Sequence, residues 1–139
     1  MSAPRSPWAG RTAPSLAQIE ALAEAARAAI PAPFAAEACK VAIRVEDFAD
    51  EAVLDELGID DAFELTGLYD GIPLTQKSVL DSPQKPDTIW LYRAAILDEW
   101  CDRGDVALDR LVGHVYVHEL AHHFGWSDDD IARIDRWWE

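Results

Sequence analysis

The pentad His118-Glu119-Leu120-Ala121-His122 constrains this chain more than any other stretch of it. Two histidines four residues apart share one face of an α-helix, because 3.6 residues complete a turn. From that face both imidazoles can point at a single ion. Glu119 is turned by about 100° from His118. That offset leaves its carboxylate beside such an ion, where it can take a proton from water. A bound metal lowers the pKa of water from about 15.7 toward 7, so hydroxide becomes available at neutral pH. The pattern therefore points to metal-assisted hydrolysis, with His118 and His122 as ligands and Glu119 as general base.

The surroundings of the pentad agree with that geometry. Asp105 is placed to cap a long helix running through Phe124, and Gly125 supplies its stop. Gly125 can adopt positive φ, so the chain can turn back there and bring Asp128 toward the ion as a third ligand. Three protein ligands and a water form the open arrangement of a catalytic zinc, one ion per chain. Asp128 also has a plainer explanation. With Asp129 and Asp130 it fills the first turn of a helix expected over 128–138, where carboxylates favour the positive end of the dipole. His114 lies four residues before His118 but is followed by Val115, so that pair lacks a base. It belongs one turn up the same face, near the rim of a cleft. His123 is rotated off the ligand face, into the core or behind the ligands. Trp90, Trp100 and Trp126 are expected in the core.

Upstream, the patterning alternates between helix and strand. Residues 1–14 hold three prolines and read as a disordered tail. Ser15 and Gln18 form a capping-box pattern, and apolar residues from Leu16 to Ile30 recur at helical spacing until Pro31. Cys39, Val41, Ile43 and Val45 alternate with polar or small residues, a half-buried strand. Asp50 can cap a short helix ending at Gly58. Phe63, Leu65, Gly67 and Tyr69 form a weaker alternation closed by Asp70-Gly71, and Ile72-Pro73-Leu74 reads as an edge-strand continuation. A surface loop over 75–87, a strand Thr88–Tyr92 and a helix Ala94–Arg103 follow. That order predicts one α+β domain over residues 15–139.

Composition narrows the partners. The chain has 139 residues, 12 Lys and Arg against 26 Asp and Glu, and a net charge of −14. Phosphate backbones and anionic lipid repel such a surface, so neither nucleic acid nor a membrane is an expected partner. Cys39 and Cys101 have no CxxC context and read as two buried, reduced thiols. The N-terminus has no apolar run of signal-peptide type, which makes the cytoplasm the expected compartment.

Three stretches carry a resemblance: Gly67-Leu-Tyr-Asp-Gly-Ile-Pro-Leu74, Ile89-Trp-Leu-Tyr-Arg93 and Val117-His-Glu-Leu-Ala-His-His-Phe-Gly-Trp-Ser-Asp-Asp129. Together they resemble a bacterial family of small zincin-like metallopeptidases, the minimal zincins. The resemblance covers roughly residues 16–135. It implies a zincin-like α+β fold, a small mixed sheet packed on a metal-bearing helix. It implies zinc held by His118, His122 and Asp128, with Glu119 as base and a peptide or protein as substrate. The spacing also looks like the metzincin motif with Asp for its last His. Metzincins carry a methionine turn downstream, and the only methionine here is Met1. With eleven residues after Asp128, the expected cleft is shallow and suits flexible or unfolded segments. The rival expectation is a non-catalytic zincin whose zinc stabilises a binding module, and Glu119 argues against it.

Overall fold

The computed structural model describes residues 12–32, 34–76 and 86–127. The expected tail over 1–14 lies almost wholly outside them, and the expected last helix, Asp128 included, lies entirely outside them. Helix α1 spans Leu16–Ala28 and starts with the reciprocal capping box, Ser15 side chain to the Gln18 amide and Gln18 side chain to the Ser15 amide. A short helix α2 covers Ala35–Ala38. Strand β1 spans Ala42–Glu46, so it starts three residues later than the alternation suggests. Cys39 instead caps α2 by donating its amide to the Ala35 carbonyl, and local helix closure overrides the period-2 pattern there. Helix α3 runs Glu51–Leu57 and ends on Gly58 at φ 70°.

The weak alternation of Phe63 to Tyr69 is only half a strand. Ala62–Glu64 closes into a 3-10 turn, with the Asp61 side chain accepting from the Phe63 amide, and β2 is confined to Gly67–Asp70. Asp61 offers the backbone a local partner that outcompetes a ladder. Ile72-Pro73-Leu74 is not a strand either, and Leu74–Gln76 forms another 3-10 turn. Strand β3, Thr88–Tyr92, and helix α4, Arg93–Arg103, follow the sequence pattern closely. Helix α5 spans Leu108–His123, with Ala107 and not Asp105 at its N-cap. Residues 105–107 lie over the end of α4, where the Val106 carbonyl accepts from Trp100 Nε1 at 2.7 Å.

The sheet has the order β1-β3-β2, with β1 parallel and β2 antiparallel to the central β3. Ile89 and Leu91 on β3 are fully buried and pack with Ile43 and Val45 against α1 and α5. Each such side chain contributes about 1.5–3 kcal/mol by leaving water. Tyr92, Trp90 and Leu68 alternate to the opposite face and pack with Ala49, Ala95 and α3. The α+β architecture with a small mixed sheet on the pentad-bearing helix is thus the one expected. Two expectations of burial fail. Cys39 and Cys101 are exposed thiols. Trp126, which follows the end of α5, is exposed and among the described residues joins neither core cluster, while Trp90 and Trp100 are partly buried. Among the described residues no helix is long and apolar enough to cross a membrane.

Candidate metal centre

The pentad occupies the last two turns of α5, one face of which is buried through Leu111, Val112, Val115, Tyr116 and Leu120. The apolar face anchors the helix, and His118 and His122 project half-buried from its flank. Their ring centroids lie 5.0 Å apart with planes at 79°. His114 continues the row, its centroid 6.4 Å from that of His118. The three histidines therefore run up one face as their spacing requires.

The helix ends in a Schellman closure. Gly125 N–H donates to the His122 carbonyl at 2.9 Å and Trp126 N–H to the Ala121 carbonyl at 3.0 Å. Gly125 sits at φ 89°. A Cβ there would also meet Thr75 Oγ1 at 2.5 Å, so the loop after β2 lies hard against this turn. The reversal carries the Trp126 carbonyl back to His122, whose Nδ1–H donates to it at 2.9 Å. A carbonyl only accepts, so Nδ1 carries the proton, and in the neutral ring the lone pair falls on Nε2. Fixing one ring nitrogen on a backbone carbonyl is how proteins orient a histidine toward a metal.

Glu119 points elsewhere. Its Oε1 accepts the Tyr69 backbone N–H at 3.1 Å. Strand β2 lies on α5 so closely that a Cβ on Gly67 would stand 3.3 Å from Glu119 Cγ and 2.7 Å from Val115 Cγ1. The ladder explains why this amide is available. Tyr92 N–H donates to the Thr66 carbonyl, so bonded pairs alternate from there along β2. Leu68 is then bonded to β3, while Gly67 and Tyr69 turn their backbone groups to the side of β2 away from β3, where the described sheet has no further strand. Glu119 sits at that open edge.

Behind the histidine face lies a polar cluster that sequence reasoning resolved only as a buried position for His123. His123 is 2% exposed. Its Nε2–H donates to Glu37 Oε1 on α2 at 3.0 Å. Its Nδ1 shares a hydrogen bond of 2.7 Å with the Tyr69 hydroxyl and lies 3.2 Å from Asp87 Oδ2. The Tyr69 hydroxyl also lies within donating distance of Asp87 Oδ2 at 2.9 Å and the Ile72 carbonyl at 3.2 Å. The His123 hydrogen bond holds the Glu37 carboxyl below its ordinary range, with Lys40 helping. Burial, with Asp87 beside it, pushes the Tyr69 phenol up, so it remains protonated. Nothing in the local sequence pairs residues 37, 69, 87 and 123, because each comes from a different element.

Among the described residues no group of three metal-ligating side chains forms. The expected third, Asp128, lies beyond them, one residue past Ser127. The two histidines fit a zinc ion in chemistry: a pair of imidazoles at helical spacing, one of them tethered through Nδ1, and a carboxylate standing aside. A family model described as zincin-like metallopeptidase matches residues 38–138, well over half of the chain. No curated protein matches it.

Proposed function

We propose, from the premise that the chain belongs to the zincin-like metallopeptidase family, that it is a zinc-dependent peptidase acting on extended or unfolded segments of polypeptide. The observation that carries the reading is the division of labour on α5: His118 and His122 stand side by side on one flank, while Glu119 is held on the open edge of β2. His118, His122 and Asp128 would hold one zinc ion. When bound, zinc supplies Lewis-acid polarisation of a carbonyl and acidifies water. Glu119 takes the proton from the attacking water and returns it to the leaving amine. A carboxylate has two oxygens, so the Tyr69 N–H on Oε1 orients the group without exhausting it. The outward backbone groups of Gly67 and the Tyr69 carbonyl offer an extended peptide a strand to pair with. Pairing of that kind needs an extended partner backbone, which favours flexible segments over folded ones.

The test is Glu119→Gln, which keeps the shape of the side chain and removes the base. Purified wild type should hold about one zinc per chain and cleave an unstructured protein substrate. The variant should keep its zinc while losing about two orders of magnitude or more of the cleavage rate. Full activity in the variant would exclude Glu119 as base. A wild type that holds zinc and cleaves nothing would favour a zinc-stabilised binding module instead.

A further inference from the structure

We propose that Tyr69 is a positioning residue for Glu119: its phenol, anchored on His123 and Asp87, holds the β2 backbone where the Tyr69 N–H meets the Glu119 carboxylate. The proposal rests on the reading of Glu119 as the base, but the coupling it describes is a property of the folded chain and can be measured without turnover. Strand β2 is four residues long and has one neighbour in the described sheet. Short edge strands open locally at low cost, so the position of the Tyr69 amide needs a second constraint. The phenol supplies it. Its oxygen meets His123 Nδ1 at 2.7 Å, Asp87 Oδ2 at 2.9 Å and the Ile72 carbonyl at 3.2 Å.

That anchor is itself rigid. His123 is buried on α5 and bonded through its other nitrogen to Glu37 on α2. Asp87 leads directly into β3, its backbone carbonyl accepting from the Ala42 amide of β1 at 2.8 Å. Gly71 passes so close to Asp87 that a Cβ would stand 2.6 Å from its carboxylate, which keeps the turn after β2 against the cluster. A tyrosine has only two side-chain torsions, so fixing its oxygen and ring places its Cα within a narrow range. The same residue thus ties the buried cluster, at one end, to the Glu119 carboxylate, at the other. The N–H donated to the Glu119 carboxylate, at 3.1 Å, limits where a side chain with three torsions can go.

Amide hydrogen exchange followed by NMR on the full chain tests the coupling. In wild type the Tyr69 amide should be protected, and Glu119→Ala should remove that protection with the phenol intact. Tyr69→Phe should speed exchange of the residue 69 amide by about tenfold or more, the worth of a lost hydrogen bond. The Ile89 and Leu91 amides of β3 should keep wild-type rates, and zinc content should be unchanged. Against a flexible peptide, kcat should fall while KM stays. Asp87→Asn, which keeps the ring and weakens its anchor, serves as the second variant should Tyr69→Phe not fold. Undiminished protection at residue 69 in Tyr69→Phe would overturn the proposal. Parallel loss at Ile89 and Leu91 would also overturn it, by making the phenol a prop of the whole sheet. A wild type that shows the coupling yet cleaves nothing would count against the peptidase reading alone.

Discussion

Replacing Gly67 with alanine tests a close approach between the sheet and the pentad helix. The added Cβ would stand 2.7 Å from Val115 Cγ1 and 3.3 Å from both Glu119 Cγ and the Trp90 carbonyl. Carbon atoms rest at about 3.5–4.0 Å, so the methyl arrives nearly an ångström too close to Val115. Val115 cannot step aside easily. It is 4% exposed, and a β-branched side chain in a helix has one strongly preferred rotamer. Overpacking of this kind costs about 1–3 kcal/mol. Alanine returns about 0.4–1 kcal/mol by reducing the freedom of the unfolded chain. The net expectation is a loss of about 1–2 kcal/mol for Gly67→Ala, read as a lower urea midpoint at unchanged slope. Val115→Ala alone leaves a cavity and destabilises as well. In the double variant the new methyl occupies the vacated space, so the two losses should fall short of their sum by about 1 kcal/mol or more. Gly67→Ala at wild-type stability, or losses that add within about 0.5 kcal/mol, would refute the close packing of β2 on Val115.

Other perturbations reach the remaining parts of the site. His122→Ala should release most of the zinc. Among the neighbouring carboxylates Asp128→Ala should weaken zinc binding sharply, while Asp129→Ala and Asp130→Ala should leave zinc affinity near that of wild type, as judged by zinc titration. His123→Ala removes one partner each from the Glu37 and Asp87 carboxylates, which keep Lys40 and the Tyr69 hydroxyl, and should lower the unfolding free energy by about 1–3 kcal/mol in urea titrations. Burial, aided by Asp50, Asp70 and Glu119, pushes the Tyr92 phenol from 10.0 up to about 12. The folded state holds that proton more tightly, so its contribution is complete below pH 10 and lost as pH rises through 12. Urea unfolding of Tyr92→Phe should accordingly decline less between pH 10 and 12 than that of wild type.

Local patterning was sufficient wherever a residue's partners are its near neighbours. The capping box at Ser15, the glycine stops at 58 and 125, and the helical row of His118 and His122 all depend on contacts within a few residues. The family and its α+β architecture were legible for a related reason: the pentad demands a helix, and the short alternating runs leave little but a small sheet to cover it. Boundaries failed where two local solutions competed. Cys39 alternates like a strand residue yet closes α2, and Asp61 turns Ala62–Glu64 into a 3-10 segment inside an apparent strand. Tertiary structure alone decided the rest. That Glu119 rests on the Tyr69 amide depends on β2 being an edge strand in one register, with Gly67 thin enough to lie on α5. The buried cluster joins residues 37, 69, 87 and 123 from separate elements, and no periodicity records a pairing across 86 positions. Hydrogen bonds between distant residues form only after packing has excluded water and brought their elements together, and so they leave no spacing in the chain to read.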